Sequence, residues 1–189
     1  MNELVEFPLL VDAMTPQHQI LGALESLGWR ATKASIRGHD QVFFRTWTTP
    51  DDAVVTYMEL HHLGLRALAL TGGDANLVGR LLALPFVEPV ELLIEQLDHA
   101  TDPRVLIRAM GVIELLAPAP RYKNELLRIV ERLREHEHVL VRRALYQSLF
   151  VVARQDLAKT IQPMLDTNDQ QLGQLISWLN ERYDALDES

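Results

Sequence analysis

Basic residues in the middle of the chain are the side chains best placed to do chemistry. Residues 104–154 carry ten Lys or Arg and five Asp or Glu, although the whole chain has a formal net charge of −8. Guanidinium groups at helical spacing bind carboxylates or phosphates through paired hydrogen bonds. The spacing predicts a basic stripe for an anionic partner, or else solvated faces on which arginines alternate with acids. The candidate partner-binding residues are Arg121, Arg128, Arg132, Arg143 and Arg154.

Histidines are the other candidates for chemistry. His136 and His138 alternate with Glu135 and Glu137, and imidazole and carboxylate are both zinc ligands. Their consecutive spacing points the side chains in different directions, so we expect a solvated turn there, and the same at His61-His62. We therefore expect no metal site.

Linear motifs of catalysis and cofactor binding are missing from the sequence. The chain has no cysteine, which excludes disulfides and thiolate chemistry. It contains no phosphate-binding loop, dinucleotide fingerprint or nucleophile elbow. We therefore expect no cofactor, no catalytic residues and a protein that is not an enzyme.

The first and second parts of the chain have different secondary-structure patterns, and the elements of both position these residues. Thr15-Pro16 and Gly28 predict the start and end of a helix. Strand chemistry follows near 31–36, 42–47, 54–60 and 65–71, with breaks short enough for antiparallel hairpins. Phe43, Arg45 and Trp47 share one strand face, and one face of that strand is expected to pack on the helix. Residues 1–73 are therefore predicted to form a small α+β domain.

Helical patterns fill the rest of the chain. Gly72-Gly73-Asp74 predicts the boundary, and residues 74–189 are expected to form a helical repeat domain without strands. The predicted helices, joined by short turns, cover about 75–84, 89–99, 103–117, 122–135, 139–153, 157–166 and 169–185.

Two of these helices appear as copies in the sequence. Val105-Leu106-Ile107-Arg108 aligns with Val139-Leu140-Val141-Arg142 at an offset of 34, and an amphipathic helix lies between the copies. Asp102-Pro103 before the first copy, and Val141-Arg142-Arg143-Ala144 in the second, resemble the HEAT-repeat family over roughly residues 74–185. The period also suits tetratricopeptide or ankyrin arrays, whose signature residues are absent.

The resemblance implies a short HEAT-like α-solenoid in which Asp102, Arg108 and Arg142 are structural repeat residues. Solenoids present extended surfaces to other macromolecules. The predicted function is a noncatalytic protein-interaction module, an adaptor or regulator, whose partner has an acidic surface. The alternatives are nucleic-acid binding along residues 121–143, and a HEAT-like lyase or glycosylase. The acidic N-terminus and the lack of a long apolar run predict a cytoplasmic protein without membrane contact.

Overall fold

Alternating apolar residues in the first part of the chain build an antiparallel sheet. The computed structural model describes residues 7–37, 42–60, 64–165 and 171–187. The strands are β1 (Phe7–Val11), β2 (Arg30–Arg37), β3 (Val42–Thr48), β4 (Val54–Leu60), β5 (Leu65–Thr71) and β6 (Val87–Pro89). They form one six-stranded sheet in the order β2-β3-β4-β5-β1-β6, and every neighbouring pair is antiparallel.

The helices of the described residues alternate with short turns. They are α1 (Gln17–Ser26), α2 (Ala75–Leu82), α3 (Glu91–His99), α4 (Pro103–Ala109), α5 (Val112–Leu116), α6 (Lys123–Arg134), α7 (Val139–Leu149), α8 (Gln155–Ile161) and α9 (Gly173–Asp187). Short 3-10 turns lie at Pro120–Tyr122 and Gln162–Met164. The chain is thus α+β, as the sequence predicts. Within the described ranges, no helix is long and apolar enough to cross a membrane.

The chain divides into two compact units, Met1–Leu92 and Leu93–Ser189. The first unit therefore continues past the boundary that the sequence indicates at Gly72-Gly73-Asp74. The reason is that β6 pairs with β1, and that Leu77 and Leu81 of α2 join the core of the sheet. Strand β6 also corrects the expectation that no strand follows residue 74.

One face of the sheet packs against α1 and α2. Trp47 of β3 is fully buried in the same cluster as Ile20 and Leu24 of α1. Arg45, on the same face of β3, forms an ion pair with Glu25 of α1. The prediction that one face of this strand packs on the first helix is therefore confirmed, and the face is that of Arg45 and Trp47.

The boundaries of α1 differ in one respect from those expected. Gly28 ends the helix in the left-handed conformation, at φ +76°, as the sequence predicts. Thr15 does not cap the start, because its hydroxyl donates instead to the Asp12 carboxylate over 3.0 Å. The N-cap position belongs to Pro16, which provides no side-chain cap.

The helices of the second unit form a network of contacts. Helix α7 contacts α4, α5, α6 and α9, and α8 contacts α6 and α9. Helix α5 also contacts α6. The predicted helix 103–117 is interrupted at Met110-Gly111, so α4 and α5 are separate. This packing determines which side of each helix remains exposed.

Candidate interaction surface

Two arginines of the predicted basic stripe bind a carboxylate inside the second unit. Arg128 and Arg132 lie one turn apart on α6, and both reach Asp98 near the end of α3. Arg128 Nη1 lies 2.7 Å from Asp98 Oδ1, and Arg132 Nη1 lies 3.6 Å from the same oxygen. Arg132 also donates to the main-chain carbonyls of Leu97 and Asp98. Arg132 therefore satisfies carbonyls that the last turn of a helix leaves unpaired.

Electrostatics at this contact favour the ionised pair. The hydrogen bond from Arg128, and then the charges of Arg128 and Arg132, hold the pKa of Asp98 below its ordinary value. The same hydrogen bond raises the pKa of Arg128. These two arginines thus have an internal acidic partner.

Arg154 belongs to a second internal network. It occupies the N-cap position of α8, and its guanidinium forms paired hydrogen bonds with Asp156 over 3.2 and 2.8 Å. Lys123 of α6 reaches the same carboxylate over 3.4 Å. Partial burial raises the pKa of Asp156, but Arg154 and Lys123 outweigh it and the net pKa is lowered. This network joins α6 to α8.

The other two members of the predicted stripe differ from these three. Arg121, in the 3-10 turn before α6, is exposed and lies over the ring of Tyr122, with 5.0 Å from its guanidinium carbon to the ring centroid. Arg143 of α7 is exposed, and its guanidinium makes no hydrogen bond or ion pair within the described part of the chain. The five arginines therefore have different partners, and Arg143 is the one of the five whose guanidinium has no partner among the described residues.

The predicted repeat residues have separate structural roles. Asp102 caps α4 by accepting a hydrogen bond from the main-chain nitrogen of Arg104 over 2.8 Å. Arg142 donates to the carbonyls of His136 and Glu137, over 2.7 and 3.2 Å. Arg108 is exposed and, among the residues that the structure describes, has no hydrogen-bond or ionic partner. Arg108 and Arg142 are therefore not equivalent, although the sequence alignment pairs them.

Burial gives a different register for the two aligned helices. From Val105 and from Leu140, the first four positions run exposed, buried, intermediate and exposed in both helices. This pattern pairs Arg108 with Arg143 at an offset of 35, rather than with Arg142 at 34. Helices α4 and α7 thus each expose an apolar side chain followed three residues later by an arginine.

These residues define a mixed basic and apolar surface, the α4–α7 face: Arg104, Val105, Arg108, Leu140 and Arg143. Val105 and Leu140 are among the most exposed large apolar side chains described, at 43% and 49% of their full area. Helices α4 and α7, which contact each other, contain four arginines and no acidic residue. Arginine together with apolar groups is a composition typical of protein interfaces.

The histidines act as hydrogen-bond acceptors in the turn before α7. His138 caps α7 by accepting from the main-chain nitrogen of Leu140 over 3.3 Å, and His136 accepts from that of His138 over 3.1 Å. Within the described portion, no three His, Asp or Glu side chains lie close enough together to hold a metal ion. His61 and His62 lie outside the described residues.

A buried polar cluster in the first unit was not anticipated from the sequence. Glu59 is 5% exposed, accepts a 2.6 Å hydrogen bond from the Tyr57 hydroxyl, and lies 3.3 Å from Arg66 Nε. Arg66 also donates to the carbonyls of Ala13 and Thr15. Burial, and then the hydrogen bond to Glu59, raise the pKa of Tyr57, so the hydroxyl stays protonated. The cluster ties β4 and β5 to the turn before α1.

The exposed apolar residues of the α4–α7 face were also missed by sequence reasoning, which followed charge alone. The signal that could have found them is the pair of matching spacings, Val105 to Arg108 and Leu140 to Arg143.

Compared with known proteins, the chain matches no protein-family model, no curated protein and no solved structure.

Proposed function

We propose that the chain is a noncatalytic protein-interaction module, an adaptor or regulator, and that its second unit binds a partner with an acidic surface. The observation that carries the proposal is the α4–α7 face. Two neighbouring helices expose Val105 and Leu140 beside Arg108 and Arg143, and neither arginine has a partner within the described ranges. Exposed apolar side chains beside unpaired arginines are stabilised when a partner covers both.

The packing of the second unit supports a short HEAT-like solenoid as part of the proposal. Helix α7 contacts both α4 and α9, and α6 contacts α8, as alternate helices do in stacked two-helix repeats. In such repeats, the outer faces of alternate helices lie side by side. A partner can therefore contact α4 and α7 together.

Charge on the two helices favours an acidic protein over other partners. Helices α4 and α7 contain four arginines and no acidic residue, although the chain as a whole is acidic. Complementary charge raises the association rate and selects against basic partners.

We also propose a cytoplasmic location, because a chain without cysteine suits a reducing compartment.

The nucleic-acid hypothesis draws less support from the contacts. It depends on a continuous stripe of cations between residues 121 and 143, and two of these cations, Arg128 and Arg132, are paired with Asp98.

The enzyme hypothesis calls for a carboxyl group of raised pKa. Within the described residues, Asp12, Asp98 and Asp156 instead have lowered pKa values.

Capture from a nuclease-treated lysate of the source cells tests the proposal. The baits are the wild-type chain, the double variant Arg108→Glu with Arg143→Glu, and Arg30→Glu as a control. Arg30 is an exposed arginine of the first unit, at the start of β2, whose guanidinium has no described partner, so its variant makes the same change of charge outside α4 and α7. We expect a protein captured by the wild type and by Arg30→Glu to be lost from the double variant. Identical captures by all three baits would refute the proposed surface.

A further inference from the structure

Helix α7 continues the α4–α7 face as a stripe along its exposed side. Leu140, Arg143, Gln147 and Val151 are all exposed and follow one another at spacings of three and four residues. The first three lie on one side of α7, where seven residues span about 10 Å at 1.5 Å per residue, whereas Val151 lies in the turn two residues beyond the end of the helix. On the helix itself, the stripe therefore consists of Leu140, Arg143 and Gln147.

Helix α4 widens this stripe on the neighbouring side. Val105 and Arg108 repeat the apolar-then-arginine pair of Leu140 and Arg143, and Arg104 adds a third exposed guanidinium without a described partner. Each helix thus exposes an apolar side chain and, three residues later, an arginine. A complementary ligand carries apolar groups and acidic groups at a similar spacing.

We infer that the α4–α7 face binds an acidic amphipathic helix of a partner protein, an inference that rests on the proposed function. A helix with Leu or Ile about three and seven residues apart and Glu or Asp beside them matches the stripe in length and in charge. Its apolar side chains cover Val105 and Leu140, and its carboxylates pair with the three arginines.

Other anionic ligands match the face less well. A nucleic acid offers phosphates to the arginines, but bases need aromatic side chains to stack on. The single aromatic residue within α4 and α7 is Tyr146, which is fully buried. The exposed Val105 and Leu140 would remain in contact with water beneath a phosphate backbone.

A synthetic peptide supplies the test. The probe is a fluorescein-labelled 18-residue helix of Leu, Glu and Ala with Leu at every third or fourth position. Its controls are a peptide with Gln for every Glu, a peptide with Ser for every Leu, and a single-stranded oligonucleotide of the same charge. Fluorescence anisotropy is measured at low and moderate salt with the full chain, the Arg108→Glu, Arg143→Glu double variant, Leu140→Ser and Arg30→Glu. Far-ultraviolet circular dichroism shows that each variant is folded.

We expect the wild-type chain to bind the acidic Leu peptide at least about tenfold more tightly than any control ligand. The double arginine variant should lose about tenfold or more in affinity, equivalent to about 1.4 kcal/mol. Leu140→Ser should also bind more weakly, while Arg30→Glu should match the wild type. Equal binding of the Ser-for-Leu peptide, preference for the oligonucleotide, or equal loss in Arg30→Glu would each overturn the inference.

The peptide assay and the lysate capture together distinguish failure of the acidic-helix inference from failure of the proposed function. A lysate protein that depends on Arg108 and Arg143, together with failure of the helical peptide to bind, would overturn the acidic-helix inference and leave the interaction module standing. Identical lysate captures by all three baits would overturn both.

Discussion

At the scale of single residues, some arginines of the second unit pair with an acid of the same chain and others do not. Spacing along the sequence predicts which arginines share a helix, but it cannot show which acid each one reaches. Asp98 lies 30 residues before Arg128 and 34 before Arg132, and the fold brings them together. On the described part of α4 and α7, the guanidinium groups without a side-chain partner are therefore those of Arg104, Arg108 and Arg143, of which the sequence predicted Arg143 alone as a binding residue.

The two α6 arginines should differ in their effect on stability. Arg132→Ala removes hydrogen bonds to the carbonyls of Leu97 and Asp98 as well as an ion pair, so we expect it to lower the free energy of unfolding by about 1–2 kcal/mol. Arg128→Ala removes one exposed ion pair and should cost about 0.5 kcal/mol. Urea unfolding at pH 7 measures both, and equal losses would contradict the capping role of Arg132.

Stability should depend on pH through Asp98. The pKa of this carboxyl group is lower in the folded chain than its ordinary value, so its contribution is complete above about pH 4 and is lost as the pH falls through the folded-state pKa. We expect Asp98→Asn to be less stable than the wild type at pH 7 by about 0.5–1 kcal/mol. The difference should shrink as the pH falls from 4 to 2.5 in urea titrations. A difference that is constant with pH would show that the charge of Asp98 contributes nothing.

At the scale of elements, the periodicity of apolar residues predicted most strands and helices. The remaining strands, β1 and β6, depend on pairing with neighbouring strands. Strand β1 is five residues long and contains Pro8, and β6 is three residues long, so neither has a clear alternation of its own. Strand β1 pairs with β5 along its whole length, and β6 becomes a strand because it pairs with β1. The repeat register shows the same limit, since sequence identity favours an offset of 34 and burial favours 35.

Two glycines should respond oppositely to the same change. Gly22 lies on the exposed side of α1 with nothing within 4 Å of an added Cβ, so Gly22→Ala should raise the free energy of unfolding by about 0.5–1 kcal/mol. Gly72 follows β5 at φ +74°, where an L side chain is strained, so Gly72→Ala should lower it by about 1 kcal/mol. Thermal and urea unfolding compare the two variants with the wild type. Changes of the same sign would contradict the assigned backbone conformations.

At the scale of the whole molecule, the sequence anticipated an α+β chain with a helical second part and a local excess of positive charge. The sequence predicted a binding surface that includes the α6 arginines, whereas the exposed side chains of the structure lead us to propose one on α4 and α7. That shift could not be predicted from composition, because it depends on which face of each helix the neighbouring helices cover. The proposed function therefore rests on exposed residues of two adjacent helices.

Photo-crosslinking in the source cells tests the proposed function most directly. A benzoylphenylalanine is placed at Leu140 of the α4–α7 face and, as a control, at Leu82 of α2, another exposed leucine. After irradiation, we expect a discrete crosslinked product from position 140 that resists nuclease and is destroyed by protease, and no such product from position 82. No product from position 140, or the same products from both positions, would contradict a partner bound to the α4–α7 face.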